Sequence, residues 1–153
     1  DAENIAYMAI AGAEEVKRFG FHPKVALLSH SNFGNRNSDS ATKMREALRI
    51  IKEMDPELEI DGEMQADSAL NEQKRLERFG ESALSGQANL LIMPNLDTGN
   101  ITTNVLKSLG GGVTIGPILM GCKLHGHIVN TSVTVRRLIN MTSVAVAQTI
   151  KET

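Results

Sequence analysis

The chain has 153 residues, 41% of them apolar and 22% charged, with a formal net charge of −2. That length and balance suit one folded domain, or two lobes sharing a sheet, and exclude disordered and fibrous compositions. Aromatic residues make up only 3%, Trp is absent, and Lys and Arg are scattered along the chain, so both the basic footprint and the stacking platforms that nucleic acid requires are missing.

In chain order, Ala2 to Phe19 carries Ile5, Ala9 and Val16 on one side and Glu14, Glu15 and Lys17 on another, which predicts a helix closed by Gly20. The acidic opening "DAENIAYMAIAG" lacks the basic region of a secretory signal, and no apolar run approaches the roughly 18 residues of a membrane span. A soluble, untargeted protein with no membrane partner is expected. Residues 24–29, "KVALLS", read as a short buried strand, followed by the loop "HSNFGNRNSDS" and a helix with Met44, Ala47, Leu48 and Ile51 on one stripe. Residues 58–64, "LEIDGEM", alternate like a more solvated strand at a sheet edge, with Asp61 and Glu63 on an exposed face near Asp67.

"SALNEQKRLERF" predicts one polar helix, and "ANLLIMPN" (88–95), the most hydrophobic segment, a central strand buried on both faces. "LDTGN" then reads as a loop before the helix "ITTNVLKSLGG". Residues 113–121 read as a broken strand and 126–130 as a short extended segment. A last helix from about Val135 to Ile150 has its stripe at Val135, Leu138, Ile139, Thr142, Ala145 and Val146. Strands alternating with helices predict an α/β fold, a three-layer open and mostly parallel sheet with its ligand site beyond the carboxyl ends of the strands. The loops at 29–39, 94–100, 116–117 and 130–134 are therefore the ones that matter.

"SHSNFGNRNSDS" is rich in Gly, Ser and Asn between a strand and a helix. Its amides and the helix start could hold a phosphate or carboxylate; a polar connection capped by Ser38 or Ser40 is the alternative. It has neither the Lys of a Walker loop nor the GxGxxG pattern. "PNLDTGN" offers Asp97 and Asn100 as polar contacts and Gly99 for close approach, against a plain Asx turn with a helix cap. "HGH" at 125–127 has no carboxylate or Cys at metal spacing, so no metal is expected. Cys122 is the single cysteine; it reads as a small core residue in a reducing, cytoplasmic setting. Arg136 and Asn140 lie one turn apart on a shared face, and Arg137 points away from the apolar stripe. Arginines near a helix start oppose the macrodipole, leaving exposed side chains or contacts to an anion or a subunit as the readings.

Five blocks, "KVALLSHSNFG", "IDGEMQADSAL", "ANLLIMPNLDTGNI", "GPILMG" and "TVRRLINMT", resemble in order and spacing the second half of the phosphate acetyltransferase and butyryltransferase family. "LLSHSNFG" and "VRRLINM" are closer still to one branch, the phosphotransacetylase-like C-terminal domain of bacterial NADP-dependent malic enzymes. The resemblance covers essentially the whole chain. It implies a two-lobed phosphotransacetylase fold, like that of isocitrate and isopropylmalate dehydrogenases, with coenzyme A between the lobes. Residues 1–153 would be its second half, forming a homodimer or higher homo-oligomer. Acetyl-CoA contacts would fall on Ser29, Ser31, Asn32, Phe33, Gly34, Asn95, Asp97, Gly99, Asn100, Ile101, Gly116, Pro117, Asn130, Thr131, Ser132 and Arg136.

The active transferases carry a pattern like Ser-Arg-Gly-Cys-Ser-x-x-Asp before the last helix. Anchored on "LIN", its serine falls on Asn130, its arginine on Thr131 and its aspartate on Arg137. Acyl transfer between phosphate and thiol needs a base and cations that these residues do not supply, a loss typically on the order of 10³-fold in rate. The resemblance thus implies a regulatory domain without catalytic residues of its own, with acetyl-CoA as effector. Oxidation of malate to pyruvate and CO2, with NADP and Mg or Mn, would lie elsewhere in the parent polypeptide. A working phosphate acyltransferase with a relocated catalytic set, making acetyl phosphate and CoA from acetyl-CoA and phosphate, is the rival expectation. A ligand-free oligomerisation module is the third.

Overall fold

The computed structural model describes residues 1–121, 126–131 and 133–150. They fall into two compact units, Asp1–Thr103 and Asn104–Thr153. In the first, α1 (Ala2–Arg18) starts where the Asp1 carboxylate accepts from the Asn4 amide at 2.8 Å and ends with Lys17 and Arg18 in its last turn, the charge polarity a helix dipole favours. Gly20 then turns the chain at φ 81°, as expected.

Three parallel strands follow in the order β2-β1-β3: β1 (Val25–Leu28), β2 (Ile60–Met64) and β3 (Leu90–Ile92). The central strand is β1, with all four residues buried, and the "ANLLIMPN" segment supplies the outer, partly exposed β3. Hydrophobicity misplaced the centre because β1 is short and flanked by polar residues. The strand has Val25 and Leu27 on the side of the core of α1 and α2 (Asp39–Met54), among Ile5, Ala9, Met44, Ala47 and Ile51. Ala26 and Leu28 join the opposite core with Met64, Ala69, Leu84 and Ala88. Sequence alternation thus becomes three layers.

The solvated face expected for β2 is corrected. Asp61 and Glu63 are 7% and 0% exposed. Burying such groups requires partners, and Asp61 has them: its Oδ2 accepts from Ser82 Oγ and the Ala83 amide at 2.8 and 2.7 Å. The predicted polar helix also breaks in two, α3 (Ala66–Ala69) and α4 (Glu72–Phe79), because the Asn71 side chain caps the second by accepting from the Lys74 amide. From α4, the fully buried Arg75 donates to the carbonyls of Ser68, Leu84 and Gly86 at 2.8–2.9 Å and to Ser82 Oγ at 2.9 Å. Ser82 therefore links a buried guanidinium to a buried carboxylate.

A bulge interrupts β2. Leu27 pairs with Gly62 and Leu28 with Met64, so Glu63 is the extra residue. Gly62 sits at φ 144°, and a Cβ there would lie 2.7 Å from the Leu27 carbonyl oxygen, so only glycine fits.

The segment "LDTGN" is not a loop: α5 (Leu96–Leu109) begins there, with Asn95 Oδ1 accepting from the Thr98 amide and hydroxyl at 2.9 and 2.8 Å. In the second unit, residues 113–121 and the described residues of 126–130 form no strand, contrary to expectation. Instead, His127 accepts from the Leu119 amide at 3.2 Å and lies 2.8 Å from Gln148 Oε1, tying an irregular segment to α6 (Val135–Thr149) through side chains. Thr134 caps α6. The stripe expected to face a core is largely exposed; Met141 and Val144 are the buried residues, while Val135, Leu138, Ile139 and Val146 face outward. Among the described residues no helix is long and apolar enough to cross a membrane.

Candidate functional site

The strand order places a topological switch beside β1: the chain crosses from β1 through α2 to β2 on one side, then through α3 and α4 to β3 on the other. Loops leaving the carboxyl ends of the adjacent parallel strands β1 and β3 border that point, where open α/β sheets bind ligands. The first holds Ser29 to Gly34, and the second ends at Asn95 and passes into the first turns of α5, Leu96 to Ile101, so the first unit brings both to one end of its sheet.

The loop after β1 is held from within. Ser31 Oγ lies 2.6 Å from Glu63 Oε1 and 2.9 Å from Asn35 Oδ1, and accepts from the Arg36 amide at 3.1 Å. Asn32 Oδ1 accepts from the Gln65 amide at 2.8 Å. Phe33 takes a left-handed φ of 47°, its amide donating to the Glu63 carbonyl at 2.7 Å and its ring meeting Phe79 edge-on at 4.9 Å. Gly34 at φ 85° donates its amide to Glu63 Oε1 at 3.0 Å. Ser31 and Asn32 are buried, so their side chains build the loop, and its exposed rim, Gly34 to Asn37, is what it presents outward.

Two cations frame it. Arg45 donates to Glu63 Oε1, the Arg36 carbonyl, Asn37 Oδ1 and Thr42 Oγ1 at 3.0–3.2 Å, leaving it occupied with the loop. Lys43, half-buried, donates to the Pro94 carbonyl at 2.5 Å. Ser38 caps α2, its Oγ accepting from the Ala41 amide at 3.2 Å. Neither Arg45 nor Lys43 stood out in the sequence, and Glu63 was read there as part of a solvated acidic face. A glycine inside a strand pattern, here Gly62, was the available signal for a bulge that re-aims its neighbour.

Within the second unit, Arg137 reaches back to Gly116, its Nε and Nη2 donating to that carbonyl at 3.0 and 2.6 Å. Arg136 is exposed, as are Asn130 and Thr131, and Pro117 follows a cis peptide bond. Ser132, Cys122 and His125 lie outside the described residues. Among the described residues no three His, Cys, Asp or Glu side chains assemble into a set able to hold a metal ion.

The sequence pattern of the phosphate acetyl/butaryl transferase family matches residues 1–146. An NAD-dependent malic enzyme of Rhizobium meliloti is 49% identical over 96% of this chain, which spans 19% of that enzyme. An NADP-dependent malic enzyme of Escherichia coli is 48% identical over 97% of the chain, which spans 20% of it. Among solved structures, EutD phosphotransacetylase from Staphylococcus aureus superposes with a TM-score of 0.91 at 31% identity, covering 98% of this chain and 47% of its own. The chain thus spans about a fifth of the malic enzymes it matches and about half of the phosphotransacetylase. From the ordered sequence blocks, the parallel sheet and these matches together, the chain belongs to the phosphate acetyl/butaryl transferase family.

Proposed function

We propose that this chain is the acetyl-CoA-binding, oligomerising regulatory part of a malic enzyme and carries no acyltransferase activity of its own. The observation that carries the reading is Arg137. It stands where the sequence pattern of active transferases has an aspartate, and its guanidinium is bound to the Gly116 carbonyl, so the position offers a cation committed to backbone instead of a base. Asn130 and Thr131 likewise stand in for a serine and an arginine. The malic-enzyme setting is supported by identities of 48–49%, against 31% to the solved phosphotransacetylase.

Within the first unit, effector contacts would come from the loop at 29–34 and from Asn95 with the first turns of α5 to Ile101; within the second, taken by itself, Gly116, Pro117, Asn130, Thr131 and Arg136 are the expected contacts. Malate oxidation and decarboxylation, with a nicotinamide coenzyme and Mg or Mn, would belong to another part of the polypeptide. The two relatives use NAD and NADP at nearly equal identity, so coenzyme choice is not written in this segment. Exposed Val135, Leu138 and Ile139 on α6 suit a homo-oligomer contact, and one cysteine suits a cytoplasmic setting.

Regulation requires acetyl-CoA to bind two states of the assembly with different affinity. The test is malate-dependent coenzyme reduction by the full-length protein, titrated with acetyl-CoA, beside a separate incubation with acetyl phosphate and CoA. A changed malate rate with no acetyl-CoA formed supports the reading. Sustained acetyl-CoA formation overturns it in favour of a working transferase, the alternative supported by the shared fold. Neither calorimetric heat nor a changed rate would leave a pure oligomerisation module.

A further inference from the structure

Glu63 is fully buried, yet it is the bulged residue of an outer strand and makes no pair in the ladder. The bulge turns it to the loop after β1, where Oε1 takes Ser31 Oγ at 2.6 Å, the Gly34 amide at 3.0 Å and Arg45 Nη1 at 3.0 Å. Its own carbonyl accepts from the Phe33 amide. Oε2 has no partner, so a single oxygen carries the whole side-chain load. A buried acceptor left half-satisfied costs stability; a chain needing only a filled core would place an apolar side chain here. The loop that Glu63 grips contains Phe33 in a left-handed conformation, which a bulky residue adopts only when its surroundings enforce it.

We propose that Glu63 is a positioning residue for acyl-CoA: it presets the Ser31–Arg36 turn, whose amides are all taken up internally, so that the exposed surface from Gly34 to Asn37 is fixed before the ligand arrives. The inference rests on the acetyl-CoA reading above and names the side chain on which that affinity depends. Preorganisation lowers the ordering entropy lost on binding, so loosening the turn weakens the complex without removing any residue that faces the ligand.

The experiment is amide hydrogen exchange and acetyl-CoA calorimetry on the full-length protein, comparing wild type with Glu63→Ala, Glu63→Gln and Arg45→Met. In Glu63→Ala, exchange at Gly34 and Arg36 should accelerate about tenfold or more, the loss of roughly one hydrogen bond, with α1 amides unchanged and acetyl-CoA Kd raised by a similar factor. Glu63→Gln keeps an acceptor and should restore slow exchange. If Glu63→Ala fails to fold, Arg45→Met, at a part-exposed helical position, reports on the same turn. Unchanged loop exchange, or acceleration shared equally by α1, overturns the proposal. So does fast loop exchange with an unchanged Kd. A wild type that binds no acetyl-CoA overturns the regulatory reading and the ligand-positioning role together, while exchange at Gly34 still decides whether Glu63 holds the loop.

Discussion

The Arg137 guanidinium grips the carbonyl oxygen of Gly116 with two donors, 3.0 and 2.6 Å away, whereas its neighbour Arg136 is exposed. Charge-assisted bonds from the half-buried Arg137 to the buried Gly116 are worth about 1 kcal/mol after solvent screening. Arg137→Ala should lower thermal stability by that amount and loosen the segment around Pro117, visible in its amide exchange. Arg136→Ala should leave stability unchanged and weaken only the acetyl-CoA response. Equal stability losses in both variants would show that the two arginines are not divided in this way.

Gly62→Ala should be among the most damaging small substitutions in the chain. It places a methyl 2.7 Å from the Leu27 carbonyl oxygen and forces a non-glycine residue to φ 144°. Overpacking and backbone strain together cost about 3 kcal/mol, to be read from denaturant midpoints at constant slope.

Arg75→Met keeps most of the side-chain volume but strands three carbonyls and Ser82 Oγ. With the buried Asp61 then lacking the cation that Ser82 relays to it, a loss of about 3 kcal/mol or more is expected. A melting temperature within a degree or so of wild type would mean that water replaces the guanidinium without penalty.

Acid stability should depend on Glu59. Burial pushes its carboxyl up, but the Ser85 amide at 2.6 Å, the Ser85 hydroxyl at 2.8 Å, His22 at 2.9 Å and nearby Lys24 hold it below its ordinary value of 4.5. A group whose folded pKa is depressed stabilises the fold fully above the unfolded value and loses that contribution as pH falls through the folded one. Stability should therefore decline below pH 4.5, and Glu59→Gln should flatten that part of the pH–stability curve measured by urea unfolding.

The helices with a clear amphipathic period, α1 and α6, were legible in the sequence almost to the residue, and the presence of α2 and the parallel α/β class were legible as well. Charge was what misled. Asp61, Glu63 and Arg75 read as solvated because ionisable residues are rarely buried without partners, and their partners, Ser82, Ser31 and distant carbonyls, are set by tertiary packing that no local pattern records. Of the four segments expected to meet a ligand, those at 29–39 and 94–100 follow the carboxyl ends of β1 and β3, whereas those at 116–117 and 130–134 follow no strand. Within the first, however, Ser31 and Asn32 turned out to be the scaffold; of the side chains holding it, Glu63 had been read as a solvated acid and Arg45 carried no signature. The segments at 113–121 and 126–130 were apolar enough to suggest strands; His127 and Arg137 anchor their backbone instead of a ladder.

Lys43 sits near the start of α2, directly after the loop from β1, and its ammonium is fastened to the Pro94 carbonyl just beyond the end of β3. That single bond acts as a cross-brace between two stretches of chain about fifty residues apart in sequence. Shifting one stretch drags on the other, so substitutions made separately in the two loops should not add. Each would register as a change in the other's rigidity, giving a small piece of sheet edge the behaviour of one mechanical part.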